Sequence, residues 1–454
     1  LLDNGTTFID GVNRCSSSGI NCADGFIARF LFDGTVDHIT FLGEDGASQD
    51  IVRDIAKYVD GGYLVVGIGA DATRVTESTS YSNVTGDSFI NKFSAGFGSI
   101  LWGSQFPAGQ IREVEADQNN YIFIAGVSQQ SDNTPIVAED ASTYNGTVPT
   151  TTQPAAFITK FSPSPHSISW STYFGGDNNF EQLYDLKLTP NNEPVIVGWT
   201  RSNDFPVTDN VSSPFTTSTA NDNGFYTEFS NTGALLYSGL MGAQINDLDI
   251  ETDGETSLAV TPAGGVGPLL VTGPTGSLLV TPPSAGYVLV MDEDRNPSWS
   301  TYLGGTQDFL EEIDVTENRR MYFGGRVADA ASNTNLMDFP TIMYAPNTES
   351  FFENRIIKDN PFTFSIFLGF FNLDIITNVQ EIGDNAEEVI IFPNPTAAKV
   401  HISTSAPISS AISVFDTRGR FLNKTLFSPI QGSSYNYEID LSTYPAGTYF
   451  LSWE

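Results

Sequence analysis

The residues able to do chemistry are few and scattered. His38, His166 and His401 are the three histidines, and they lie in three different parts of the chain. No Ser-His-Asp or Cys-His order is evident, and there is no HExxH, no phosphate-binding glycine loop and no zinc spacing. Nucleophilic and metal-hydrolase catalysis are therefore not expected. Asp247, Asp249, Glu251 and Asp253 precede Gly254, as at the start of a calcium loop. Such a loop needs a bidentate glutamate further on, and Val260 stands there. The four acids read better as a solvated strand face ending in a hairpin turn. Carboxylates are abundant enough for a glycosidase-like pair, but nothing in the sequence singles out which two. Trp102, Trp170, Trp199 and Trp299 have the right chemistry for stacking on sugars. Three of them, Trp102, Trp170 and Trp299, share one repeated strand position, where packing is the expected role. Cys15 and Cys22 are the two cysteines, and in an oxidising compartment a disulfide is the natural reading. A two-ligand metal site is the alternative, but no histidine lies near. No catalytic, cofactor-binding or metal residue is assigned on this basis, and no cofactor is expected.

The elements that would position any site follow from composition and periodicity. The chain has 454 residues, long enough for two or more domains, and is 40% hydrophobic and 12% aromatic, which supports a large core. It carries 54 acidic against 20 basic residues, a net charge of −34. Such a surface repels phosphate backbones and anionic lipid heads, so nucleic acid is not an expected partner. No apolar run reaches the roughly 18 residues of a membrane span. The start at Leu1 reads as a mature or trimmed N-terminus.

One strand type recurs: GFIARF at Gly25, SFINKF at Ser88, AFITKF at Ala156, GFYTEF at Gly224 and, more loosely, GYVLVM at Gly286. FTFSIF at Phe362 reads as a sixth. The aromatic anchors Phe26, Phe89, Phe157, Phe225 and Tyr287 repeat with a period of about 65 residues. Each strand is followed by a turn and a second strand (ITFLG, ILWGS, ISWSTYFGG, LLYSGLMG, SWSTYLGG), then a third of alternating apolar positions. A tight turn leads to a fourth strand ending in glycine: YLVVG, YIFIAG, PVIVG, LLVTG, MYFGG. Period-two alternation marks half-buried strands, and Gly, Asn and Asp supply the turns. Fourth-type strands are visible at Thr6, Tyr63, Tyr121, Pro194, Leu269 and Met321. A small four-stranded sheet buries its apolar faces by radial stacking, the β-propeller solution. We expect an all-β fold: a propeller of six blades, or seven if residues precede Leu1, with Phe362 to Val379 closing the ring on the first blade. The long polar connections, Asp71 to Asp87, Ser128 to Gln153 and Arg201 to Asn223, are expected on one face, where binding usually occurs.

Tyr173 to Gly176 with Val195 to Gly198 and Asp204 to Pro206, and Tyr302 to Gly305 with Met321 to Gly325 and Asp338 to Pro340, resemble the bacterial seven-bladed β-propeller repeats. The likeness covers about residues 1–375, with Pro190-Asn191-Asn192 standing where that family carries Asp-x-x-Gly-Asn.

The texture changes after Asn378. Residues 379–388 read as an acidic linker, and 389–454 as a compact Ig-like β-sandwich, leaving 1–378 to the propeller. Phe392-Pro393-Asn394-Pro395, then ISVFDTRGR with Asp416, Gly419 and Arg420, then Pro445, Gly447 and Tyr449, occur in order at the C-terminal end. They resemble the type A C-terminal sorting domain of the Bacteroidota type IX secretion system, whose members usually run on into a last strand ending in basic residues; here, with the sequence stopping at Glu454, that strand is either absent or not included. That resemblance implies export to the cell surface at the exterior of the outer membrane. It also implies recognition by the translocon and its outer-membrane shuttle protein and, as often in that family, removal of the domain with attachment to surface lipopolysaccharide. The propeller is then the cargo, expected to be a binding or adhesion module for a glycan or protein ligand. The alternatives are a polysaccharide-active enzyme, which a deep central cluster of carboxylates would favour, and a structural subunit of a surface assembly.

Overall fold

A computed structural model describes residues 25–31, 33–42, 50–69, 81, 86–146, 153–176, 180–217, 223–262, 286–303, 308–316, 319–327 and 365–372 of one compact unit, Leu1–Thr377. Of the other, Asn378–Glu454, it describes 389–392, 399–404, 412–416, 421–425, 435–442, 444 and 449–452. Cys15, Cys22, the strand expected at Thr6 and the linker 379–388 lie outside the described residues. So does most of the connection from Asp71 to Asp87.

The first unit is a β-propeller. Its sheets follow the chain: β1 (Gly25–Phe30) with β2 (Val36–Leu42), then β3 (Ile51–Lys57), β4 (Tyr63–Ile68), β5 (Ser88–Phe93) and β6 (Ile100–Phe106). The third holds β7 (Gln110–Ala116), β8 (Ile122–Ser128), β9 (Ala155–Phe161) and β10 (Ile168–Phe174). The fourth holds β11 (Glu181–Leu188), β12 (Pro194–Thr200), β13 (Asn223–Phe229) and β14 (Leu235–Met241), and the fifth β15 (Ala243–Ile250), β16 (Thr256–Pro262), β17 (Gly286–Met291) and β18 (Pro297–Leu303). The last is β19 (Asp308–Val315), β20 (Arg320–Val327) and β21 (Ser365–Asn372). All pairings are antiparallel between neighbours in sequence, and β3, β7, β11, β15 and β19 pack in succession, each on the next. These first strands are the innermost. The six sheets among the described residues agree with six blades.

The recurring GFIARF-type strand, counted first in the sequence repeat, is the third strand of a sheet, so the seam between blades falls between β10 and β11, within Trp170 to Pro206, where the sequence reads as an outer strand followed by the inner strands of the next blade. Two expectations change. The fourth-type strand of the fifth blade is Thr256–Pro262, directly after the Asp253-Gly254 turn and paired with both β15 and β17, while the LLVTG segment at Leu269 lies outside the described residues. The missing glycine accounts for the displacement. At Gly67 and Gly198 a Cβ would run into the carbonyl oxygens of Ile51 and Gln182 and the rings of Phe89 and Phe225. In the fifth blade Val260 fills that register position, opposite Tyr287. Finally, β21 does not close the ring on the first blade. It pairs with β20 along its whole length as the third strand of its own sheet, because the open edge of β20 is the nearest unpaired ladder.

Five hairpin turns repeat one geometry at the end of the inner strands. The positive-φ position is held by Gly61, Asn120, Asn192, Gly254 and Arg319. Asn192 thus does the work of glycine in the departure at Pro190-Asn191-Asn192, since asparagine tolerates this region better than most residues.

Blades are joined by aromatic packing. Trp102 and Trp170 are fully buried; Trp102 packs against Phe161 and His166 of the next blade, and Trp170 against Phe229 of the next. Phe205, from the Asp-Phe-Pro motif, stacks on Phe225 at 5.0 Å and meets Phe174 edge-on at 5.2 Å. The two long connections leave from the same end of their sheets, as expected, but their described parts run outward. Val137 bridges to Ser171 on β10, and Thr216 to Leu240 on β14. Tyr144 donates its N–H to Gly233 O in the next blade. They cover the outermost strands, whose open edges would otherwise be available for pairing with other chains.

The second unit is a two-sheet sandwich. β22 (Val389–Phe392), β23 (Lys399–Thr404) and β26 (Tyr435–Asp440) form one sheet, and β25 (Phe421–Thr425), β24 (Ile412–Asp416) and β27 (Tyr449–Ser452) the other. Val400, Ile402, Tyr437 and Ile439 of the first sheet share a buried core with Ile412 and Val414 of the second.

Candidate functional site

The inner strands carry a feature that composition hides among 54 acids. Each has a β-bulge at one register position, at Arg53, Arg112, Tyr184, Asn246 and Glu311, and the next residue is always acidic: Asp54, Glu113, Asp185, Asp247 and Glu312. A bulge re-aims side chains out of the pleat, and here it turns five carboxylates toward the axis. Most serve as ties. Asp54 Oδ2 accepts Val114 N–H of the next blade at 2.8 Å, Asp185 Oδ2 accepts Leu248 N–H at 3.0 Å, and Asp247 Oδ2 accepts Ile313 N–H at 2.5 Å. One layer further, Asp249 Oδ2 accepts Val315 N–H at 2.6 Å. Inner strands of neighbouring blades form no backbone ladder, so a side chain carries the bond instead. Asp247 and Asp249 are therefore ties between blades and not a solvated face, while the run does end in the expected hairpin turn, with Asp253 exposed in it. Asp247 is buried, and Asp253 accepts Glu255 N–H within the turn.

Lys187 stands within this ring, 3.4 Å from Asp185 and 3.7 Å from Glu115. Burial by itself would lower its pKa; the carboxylates of Asp185, Glu115, Asp247 and Asp54 outweigh burial and hold it above the ordinary lysine value. Burial pushes Glu115 up to about 7, against the pull of Lys187. Burial, then Asp185 and Asp54, hold Glu113 well above the carboxylate range, and burial followed by Asp185 does the same for Asp247. Glu113 and Glu312 make no hydrogen bond among the described residues.

The bulge residues form a different layer, nearer the end from which the long connections leave. Arg112 donates to Gln182 Oε1 at 3.0 Å, Leu183 O at 3.1 Å and Gln110 Oε1 at 3.2 Å, while its Nε is buried without a partner. Burial, and then the Arg53 guanidinium on the neighbouring inner strand, lower its pKa. Arg53 is exposed and makes no hydrogen bond or ion pair among the described residues. Tyr184 stands close enough for Arg112 to oppose the upward push that burial gives its pKa. Trp199 is the cross-strand partner of Gln182. It is half-buried, with the Arg201 guanidinium 4.5 Å from its ring centre and Phe180 edge-on at 6.0 Å.

The residues singled out from sequence sort themselves. Trp102, Trp170 and Trp299 are buried packing residues, and Trp199 is the half-buried one. His38 and His166 are buried, stacked against Phe97 and beside Trp102. In the C-terminal unit Phe392 ends β22 opposite His401, and Asp416 ends β24 opposite Tyr449 at the start of β27. Two of the three signatures thus meet in one ladder. Pro393, Asn394, Pro395, Gly419, Arg420, Pro445 and Gly447 lie outside the described residues. The axial layers escaped sequence reading because each inner strand contributes one acid and one bulge residue. Only aligning the five strands on their glycine-bearing partners would have exposed them.

Residues 390–454 match the secretion system C-terminal sorting domain family. The C-terminal unit is a sorting domain. It engages the type IX secretion machinery and marks the chain as an exported cargo, surface-displayed or released, of the Bacteroidota type. No curated protein matches the sequence. Among solved structures, the chain is similar to a Bacteroides caccae protein of unknown function at 12% identity, covering 66% of this chain and 78% of that one, with a TM-score of 0.36. A Xanthomonas campestris gluconolactonase aligns at 12% identity over 66% and 75% of the two chains, TM-score 0.31. A polysaccharide lyase aligns at 10% identity over 92% and 85%, TM-score 0.34. Likeness at this level carries no argument about activity.

Proposed function

We propose that the propeller is an extracellular binding module, and that its ligand is a glycan or a protein held at the axial end nearest the long connections. The observation that supports this reading is Trp199. Of the tryptophans among the described residues, the others are closed into blade packing. Trp199 is half-buried beside an arginine, a second aromatic and its cross-strand partner Gln182. A half-exposed aromatic flanked by hydrogen-bonding groups is the usual make-up of a site that orients a polar ligand. Adhesion, and attachment to surface lipopolysaccharide, belong to the same proposal. The test is glycan-array binding by the full chain and by its Trp199→Ala variant. Wild-type binding reduced about tenfold by the substitution supports the reading, and binding that ignores it removes Trp199 from the site.

A second reading, a polysaccharide-active enzyme, is favoured by the axial carboxylates. Glu113 and Glu115 have raised pKa values, as a general acid requires. Against it, Asp54, Asp185 and Asp247 spend their oxygens on blade ties. Polysaccharide turnover lost in Glu113→Gln would establish the enzyme reading.

A further inference from the structure

Resting on the proposed binding role, we infer that the axial mouth takes the carboxylate of an acidic polysaccharide, on Arg53 and Arg112, with Trp199 as the stacking platform for the sugar.

In a chain with 20 basic and 54 acidic residues, most cations are expected beside carboxylates, and Arg29, Lys92, Arg295 and Arg319 are. Arg53 and Arg112 instead hold the same bulge position on adjacent inner strands, close enough for the Arg53 charge to be felt at Arg112. Arg112 donates only to neutral oxygens, and Arg53 donates to nothing among the described residues. Two like charges this close are unfavourable unless an anion joins them. A planar guanidinium pair matches a carboxylate in geometry as well as sign.

Directly below lie Asp54, Glu113, Asp185, Asp247 and Glu312. The one acid of the bulge layer, Glu311, is paired with Arg326 at 2.7 Å. An anion is therefore attracted to Arg53 and Arg112 and repelled one layer further in, so the ligand is held at the mouth and does not thread the channel. The amides of Gln110 and Gln182 and the hydroxyl of Tyr184 suit a polyhydroxylated ring, and Trp199 and Phe180 supply its apolar contact. An acidic peptide would make little use of that aromatic pair, so a uronate sugar is the better fit.

The probe is oligogalacturonate, compared with the same oligomer methyl-esterified so that backbone and ring are kept and charge is removed. Calorimetric titration of the full chain is expected to show the acid form binding at least about tenfold tighter, with the difference shrinking as salt rises. Arg53→Gln and Arg112→Gln should each weaken the acid form about tenfold, and Arg53→Gln should leave the ester unchanged, since Arg53 holds none of the neutral groups that meet the ring. Arg53→Gln should do so with an unaltered thermal midpoint, since that side chain ties nothing. Equal binding of acid and ester overturns the anion inference while the glycan reading stands. Acid binding that survives both substitutions overturns the residues named. Tighter binding of oligoglutamate than of oligogalacturonate overturns the sugar assignment, and binding of neither oligomer overturns the inference outright, leaving the glycan array to judge the broader reading.

Discussion

Glu181 begins β11 and is fully buried. Its Oε1 accepts Ser202 Oγ–H at 2.5 Å, Thr200 Oγ1–H at 3.1 Å and Gly176 N–H at 3.3 Å, while Oε2 has no partner. Burial pushes its pKa up to about 7, against the three donors, and Asp204 adds to the rise. A carboxyl whose folded pKa lies above its unfolded value binds more protons in the folded state at every pH between the two. Its contribution is therefore complete below the unfolded value, and is lost as pH rises toward about 7. We expect the thermal midpoint to fall as pH rises from about 5 to 8, and Glu181→Gln to flatten that slope, with a difference on the order of a few kcal/mol. A Glu181→Gln variant whose slope equals that of the wild type would show that Glu181 does not titrate with a raised pKa in the fold.

At the scale of elements, the inner strands are held by side chains where a backbone ladder is missing. Asp185 accepts both Leu248 N–H and Leu186 N–H, and also pairs with Lys187. Asp185→Ala strands two buried donors, for which a destabilisation of roughly 3 kcal/mol is expected in denaturant unfolding. A loss below about 1 kcal/mol would mean that solvent reaches those amides. The Asp-Phe-Pro motif acts at the same scale: Phe205 fills the wedge between two blades, and the connection after it covers β14. Strand type and period were legible because alternation and turn residues are local signals. The seam between blades was legible too at Trp170 to Pro206, and the pairing of β4 with β5, β8 with β9 and β12 with β13 fixes where every sheet begins.

For the molecule as a whole, the cargo and its address are separate compact units. Removing 389–454 should leave the propeller in the periplasm of a type IX-secreting host, read by fractionation; surface display of the truncated chain would separate export from the sorting domain. The address was readable from sequence because its signatures are short and ordered, and the structure adds that Asp416 and Tyr449 of two different signatures are ladder partners. The sequence by itself determined the all-β class, the repeat, the packing role of Trp102 and Trp170, and the sorting address. Each rests on local pattern or motif order. Only the tertiary structure decided what the carboxylates do. Residues such as Asp54 and Val114, or Asp185 and Leu248, meet only because successive inner strands are brought side by side. The same geometry sets Arg53 beside Arg112 and leaves Trp199 as the half-open tryptophan, a distinction that strand pattern does not encode.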